Sequence, residues 1–304
     1  MSSRARRRIL IVLAALVAAW LGSGFVVDVL LTRRSKSFAE PLPAEFVTAD
    51  PPGKALRLRT SDGLALGAWW IPARDAHCVA LVLHGNDGSR SGSAGLARML
   101  RDEGTSVFAL TLRAHGDSEG EQNDLGYSAR LDVLAALDAI EARAPELPIV
   151  LVGRSLGAAA ALYAAEDTQE RVGGWLLEAP YKDLECAVRA RLSMFLPLGL
   201  DEVAWTTMRL SAPFVLDPPA DALAPIEHAA TLSGRPVLVL SGDHDRHAPV
   251  EETREFVERI GASAELVTFT GRAHVELAHS DPERFLAAYR SLLARIDRSP
   301  SKRR

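Results

Sequence analysis

Cysteine is scarce in this sequence. Cys78 and Cys186 are the only two among 304 residues, which excludes a scaffold held together by dense disulfides and leaves the redox compartment open. No internal repeat at solenoid periods and no low-complexity tract is present, so repeat arrays and a wholly disordered chain are excluded. The 22 glycines and 17 prolines are too few for a collagen-like chain. There is one long apolar run, at residues 9–31, which excludes a polytopic membrane protein. What remains is an ordinary globular composition, 48% hydrophobic and 24% charged. A single domain of this length can bury about 70–75% of its unfolded surface, enough for a sizeable core.

Positive charge is also lacking over most of the chain. The net charge is −4, yet residues 1–36 hold seven basic side chains and one acid, Asp28, so the rest of the chain stands at −10. A body of that sign does not bind nucleic acid by neutralising phosphates. The basic residues Arg4, Arg6, Arg7 and Arg8 precede the apolar run, and Arg33, Arg34 and Lys36 follow it. A helix from Ile9 to Val27 would be about 28 Å long, close to the thickness of a hydrocarbon core. The run therefore reads as a transmembrane signal anchor at 9–31 behind a basic N-terminus at 1–8. Gly22-Ser23-Gly24 would allow cleavage as a signal peptide, but the apolar character resumes at Phe25 and no A-x-A site is present. The expectation is a single-pass protein with the short N-terminus in the cytoplasm and the body outside, although basic residues on both flanks weaken the charge bias.

Residues 32–54, polar and containing Pro41, Pro43, Pro51 and Pro52, read as a linker that lifts the body off the membrane. From residue 55 onward short apolar strands alternate with helices. Strands are expected at 56–59, 64–71, 79–83, 107–112, 149–152, 175–177, 237–240 and 266–269. Helices are expected at 93–103, 130–144, 156–165 and 251–260. A last helix is capped by Asp281 and Pro282 and carries Phe285, Tyr289, Leu292 and Ile296 on one face. This alternation predicts a mostly parallel central sheet with helices on both faces. Residues 181–235 lack strand character. Leu184, Val188, Leu192 and Phe195 suggest an amphipathic helix there, and the region reads as a helical cap inserted over one end of the sheet. The tail at 299–304 is basic and solvated.

Chemistry in a parallel sheet sits in loops at the carboxyl ends of strands. Gly153-Arg154-Ser155-Leu156-Gly157 matches G-x-S-x-G between an expected strand and an expected helix, the setting of a nucleophile elbow. A second match, Gly116-Asp117-Ser118-Glu119-Gly120, has acidic neighbours and no following helix, and those acids would oppose an oxyanion, so Ser118 is not the candidate. His84-Gly85-Asn86 ends the strand at 79–83. The backbone at Asn86 and the amide of Leu156 are the candidate oxyanion donors, and the His84 side chain is read as structural. After the strand at 237–240, Gly242-Asp243-His244-Asp245-Arg246-His247 offers two acids, of which Asp245 lies further into the loop and is preferred to Asp243. This stretch also fits a metal site, but no further His or Cys cluster supports one. After the strand at 266–269, His274 occupies the position a base requires, whereas His279 belongs to the turn before the last helix. Ser155, Asp245 and His274 then follow in the chain order nucleophile, acid, base.

With HGN at 84–86, RAHGDSEG at 113–120, GRSLG at 153–157, EAPYKDL at 178–184, GDHDRHAP at 242–249 and GRAH at 271–274, the chain over roughly 55–298 resembles the α/β-hydrolase superfamily. It looks most like the serine-aminopeptidase-like branch of membrane-anchored bacterial hydrolases. The resemblance implies that the segment around Ser118 is a structural turn, with Ala114 standing where that branch has a glycine. It also implies a serine hydrolase that needs no cofactor and no metal, acting on a small-molecule acyl substrate through Ser155, Asp245 and His274. The expected reaction is cleavage of a carboxylic ester, thioester or amide through an acyl-enzyme. A peptidase, an acyltransferase and a non-catalytic binding protein on the same fold are the alternatives.

Overall fold

Eight strands build one sheet: β1 (Lys54–Arg59), β2 (Ala65–Ile71), β3 (Cys78–Leu83), β4 (Thr105–Leu110), β5 (Ile149–Arg154), β6 (Gly174–Glu178), β7 (Val237–Gly242) and β8 (Ala264–Phe269). Their order is β1-β2-β4-β3-β5-β6-β7-β8. The β1–β2 and β2–β4 pairs are antiparallel and the others parallel. This is the α/β-hydrolase fold, seen in a computed structural model that describes residues 3–197, 199–274 and 276–297. The basic tail at 299–304 and residue 298 lie outside the described residues.

The central strands are largely apolar, and β3 is apolar at every position, because both faces are covered. In β3, Val79, Leu81 and Leu83 enter one core, while Cys78, Ala80 and Val82 enter the other. The helix Leu156–Tyr163 buries all eight of its residues. Its run of alanines lets it lie close under the sheet. The last helix, Pro282–Asp297, covers the opposite face with Phe285, Tyr289, Leu292 and Ile296, the four residues expected. Strand β4 begins two residues before the expected 107–112 and ends two before it. Its polar start, Thr105-Ser106, is buried at no penalty: Ser106 Oγ accepts from the Ala73 amide at 3.0 Å, and Thr105 Oγ1 lies 3.1 Å from the Tyr289 hydroxyl.

The cap between β6 and β7 consists of helices Leu184–Phe195 and Leu200–Ser211 followed by 3₁₀ turns ending at Leu232. Asp183 caps the first helix, accepting from the Cys186 amide at 2.7 Å. Leu184, Trp205, Met208, Ala212, Leu216 and Leu223 form a small core of their own, with Val188 and Leu192 packed against it. Phe195 does not complete that stripe; it is 83% exposed at the end of its helix.

The apolar run lies within one helix, Ser3–Thr32, long and apolar enough to cross a membrane. Only one stripe of it is covered. Gly24, Asp28 and Thr32, four residues apart, are buried, and this face packs on the second cap helix. Asp28 accepts a 2.5 Å hydrogen bond from Ser211 Oγ, and a Cβ at Gly24 would collide with Thr207, so the two helices meet at backbone distance there.

Residues 32–54 do not behave as the expected linker. They are strapped to the domain. The Asn123 amide donates to Thr32 O at 2.6 Å, the Arg34 amide to Glu121 O at 2.8 Å and the Ser35 amide to Ala114 O at 2.9 Å. The buried Glu40 carboxylate accepts from Arg90 at 3.2 Å, Thr111 at 2.8 Å, and the amide and hydroxyl of Ser91 at 3.0 and 2.9 Å. Arg90 also pairs with Asp117 at 2.6 Å. A buried carboxylate with this many donors holds its segment in place, and the prolines that suggested a spacer leave the segment free to follow the surface.

Candidate active site

Ser155 stands between β5 and the helix that follows, with φ 49° and ψ −109°, a strained conformation for a residue other than glycine. The flanking glycines allow the turn. A Cβ at Gly153 would come 2.6 Å from the Gly157 carbonyl, and one at Gly157 would collide with the Leu83 carbonyl. The Ser155 amide is held by Glu178 O at 2.8 Å. Ser118, the second match, is sealed inside its turn. Its hydroxyl donates to Thr111 O at 2.6 Å and accepts from the Gly67 amide at 2.9 Å, so it has no free face. Ala114, where the related branch has glycine, sits in that turn at φ 59°, a position glycine would occupy without strain.

Asp245 and His274 come together. His274 Nδ1 lies 2.7 Å from Asp245 Oδ2, while Asp245 Oδ1 accepts from the amides of His247 at 2.8 Å and Ala248 at 3.0 Å. Burial opposes the charge on Asp245, but the bond from His274 and the two amides outweigh it, holding the carboxyl below the usual carboxylate range. Asp243 ties its loop to the one after β8, accepting from the Gly271 amide at 2.6 Å. His279 is bonded to Glu276 at 2.7 Å in the short helix Leu277–Ser280. His84 donates from Nδ1 to Gly85 O at 2.7 Å and accepts the Leu112 amide on Nε2 at 3.0 Å, so both ring nitrogens are engaged. Burial, with His115 beside it, holds its pKa down to about 3, which keeps it neutral.

Ser155 and His274 are not hydrogen-bonded to one another. Catalytic contacts of this kind often tighten only with substrate present. Ser155, Asn86 and Leu156 do line one cavity of about 80 Å³, whose other walls are largely apolar, including Leu125, Tyr181, Trp205 and Met208. The backbone amides of Asn86 and Leu156 have no protein acceptor among the described residues. The Asn86 side chain is fixed by Asn123, whose Nδ2 donates to Asn86 Oδ1 at 2.6 Å. A separate groove of about 1170 Å³ lies along the cap, lined by Asp183, Cys186, Arg189, Arg246 and Glu252, and does not include Ser155.

Three features were not read from the sequence. His247 packs its ring 4.9 Å from that of His274, with Nδ1 buried and without a partner. Together with Asp245 these rings bring three potential ligand atoms within 4.8 Å. Both Asp245 oxygens are already engaged by His274 and the loop amides, which argues for a base-orienting cluster rather than a metal site. Arg191, in the first cap helix, reaches the cavity of Ser155. Glu178, the last residue of β6, is buried under the elbow and accepts from the Leu277 amide at 3.3 Å. The signal for Glu178 is a single acid closing an apolar strand.

Burial pushes the Glu178 carboxyl up to about 8, against the opposing pull of Arg154 and the Leu277 amide. Unfolding at neutral pH therefore releases a proton from this group. Its contribution to stability is fully present below the ordinary value of 4.5 and is lost as pH rises toward about 8. Glu178→Gln is accordingly expected to flatten the decline in melting temperature between those limits. Thermal denaturation of both proteins across that range measures it. Parallel declines in the two proteins would show that other groups cause the dependence.

Comparison with known proteins gives similarities at the level of family and fold. Residues 74–219 match the family model described as serine aminopeptidase, S33, a span that holds Ser155 but ends before Asp245 and His274. An uncharacterized protein of Mycobacterium tuberculosis is 28% identical over 88% of this chain and 87% of its own length. The monoglyceride lipase of Homo sapiens is 35% identical over 37% of this chain and 38% of its own. Among solved structures, the esterase Pf2001 of Pyrococcus furiosus superposes with a TM-score of 0.71 at 23% identity, covering 87% of this chain and 98% of that one.

Proposed function

The chain belongs to the α/β-hydrolase superfamily, and from that membership we propose that it is a membrane-anchored serine esterase using Ser155, His274 and Asp245. The observation that carries the reading is Ser155 held on a strained turn, in one apolar cavity with Asn86 and Leu156. Ser155 Oγ attacks the ester carbonyl while its proton passes to His274 Nε2. The Asn86 and Leu156 amides hold the oxyanion. The tetrahedral intermediate collapses, and the leaving alcohol takes the proton from His274. Water, deprotonated by His274, then attacks the acyl group and releases the acid and free Ser155. Asp245 keeps Nδ1 of His274 protonated, so that Nε2 is the basic nitrogen. An ester of an apolar acid suits the cavity walls, and the similarity to a monoglyceride lipase and to an esterase supports that class.

A peptidase reading is favoured by one observation, the match to the serine aminopeptidase model. The same triad can cleave an amide, and substrate decides between the two. Our reading keeps the basic N-terminus in the cytoplasm and the catalytic domain on the other side of the membrane, in accord with Arg4, Arg6, Arg7 and Arg8 ahead of the apolar run.

The test is a fluorophosphonate probe on the full-length chain in detergent, with the modified serine mapped by mass spectrometry and ester and aminoacyl-amide panels run beside it. Labelling at Ser155 with turnover of esters is expected. Labelling at Ser118, or none of a folded protein, would overturn the assignment, and turnover of amides alone would move it to a peptidase.

A further inference from the structure

The cavity at Ser155 is small. Its volume of about 80 Å³ lies well below the roughly 300 Å³ at which ligand pockets begin. One wall is unexpected: Asp28, Leu31 and Thr32, from the end of the N-terminal helix. Beyond Met208 lies a second space of about 360 Å³, between Trp20, Gly24 and Val27 of the N-terminal helix and Leu192, Phe195 and Ala204 of the cap. Met208 lines both spaces, and it is an unbranched, easily rearranged side chain. The two are therefore parted by the residue best suited to swing aside.

Resting on the esterase reading, we propose that the N-terminal helix forms one wall of an acyl-chain channel, in which the chain of a membrane lipid ester runs from Ser155 past Met208 into the groove between this helix and the cap. The helix is held as a fixed wall. Ser211 bonds Asp28, Thr207 meets Gly24 at backbone distance, and the Asn123 amide holds Thr32 O while its side chain holds Asn86. The end of the membrane segment is thus tied to the loop that carries the oxyanion donor. Leu31 lines the cavity yet is 46% exposed, so the cavity has its lip on the helix. The rest of that helix surface, Phe25, Val26 and Leu30, is exposed and apolar, and Phe195 beside the groove is 83% exposed. An apolar surface continuous with a membrane-spanning helix fits a bilayer, and an acyl chain reaching the groove from there never crosses water. The two roles of the helix, anchor and pocket wall, use different faces.

The experiment uses the full chain in lipid nanodiscs with p-nitrophenyl acetate, octanoate and decanoate, and compares kcat/KM. The unaltered chain is expected to prefer the longer esters. Ala204→Trp, which fills the groove without touching the cavity at Ser155, should lower the decanoate-to-acetate ratio by about tenfold or more. Met208→Ala should raise it. Leu30→Trp, on the exposed face of the helix, should keep the ratio of the unaltered chain. Labelling of Ser155 by a small fluorophosphonate reports that each variant is folded. Equal ratios for Ala204→Trp and Leu30→Trp would overturn the channel, as would turnover of acetate alone by the unaltered chain. If no ester is cleaved and Ser155 is not labelled, the esterase reading itself falls and the channel falls with it; turnover with unchanged ratios sinks the channel alone.

Discussion

Ser155→Ala is expected to lower kcat for ester hydrolysis on the order of 10⁶-fold, the scale of loss when a triad nucleophile is removed. The other hydroxyls lining the cavity, on Thr32 and Tyr181, are committed to the carbonyls of Asp28 and Leu125. Ser118, the other serine in a G-x-S-x-G context, is buried with its hydroxyl committed to Thr111 O and the Gly67 amide. The asymmetry follows from backbone geometry. Ser155 is lifted at φ 49° between a strand and a helix, whereas Ser118 is folded inward by its turn. The substitution removes one oxygen from a site whose backbone is held by the Glu178 carbonyl, so fold and melting temperature should hardly change. Steady-state rates with p-nitrophenyl esters, beside circular dichroism, measure both. Residual activity within tenfold of the unaltered chain would place the nucleophile elsewhere.

Asp245→Asn is expected to lower kcat by roughly 10⁴-fold while leaving KM within a few-fold. Asp245 accepts three hydrogen bonds, from His274 Nδ1 and from the amides of His247 and Ala248. An asparagine can keep the two amide bonds through its oxygen. Its amide nitrogen then faces His274 and donates where the carboxylate accepted, which turns the ring to the wrong tautomer. Because Asp245 is held below the usual carboxylate range, its charge persists at every pH above that range. Its contribution to folding is present above the ordinary value of about 3.9 and is lost only as pH falls below it. Loss of activity at milder acidity therefore does not belong to Asp245. Rates and pH profiles of the two proteins test this. An Asp245→Asn variant within tenfold of the unaltered rate, beside an inactive Asp243→Asn, would exchange the roles of the two acids.

Much of the fold was legible because it is written in local periodicity. The runs that became β3, β5 and β7 are apolar throughout since both faces of the sheet are covered, and Phe285, Tyr289, Leu292 and Ile296 mark a helix packed on one side. Strand β4 slipped by two residues because Thr105 and Ser106 look polar until Tyr289 and Ala73 supply their partners. The strap at 32–54 was illegible for a related reason. Glu40 is an ordinary surface acid in sequence, and only tertiary structure sets Arg90, Thr111 and Ser91 around it.

By itself the sequence set out Ser155, Asp245 and His274 in the chain order proposed for nucleophile, acid and base, the glycine-flanked turn that carries Ser155, the acidic, helix-less setting of Ser118 and the apolar N-terminal helix. All of these follow from residue type and short spacing, where steric and hydrogen-bonding rules act within a few residues. Only the tertiary structure decided that His247 packs its ring, tilted, against that of His274, that Glu178 is buried beneath the elbow, and that Asp28, 183 residues from Ser211, fixes the N-terminal helix against the cap. Such contacts join parts of the chain with no shared period, and their energies come from burial and from the pairing of buried polar groups. Asp28 shows the boundary between the two. A lone acid in an apolar run announces that a partner is needed, and only the packed cap supplies Ser211.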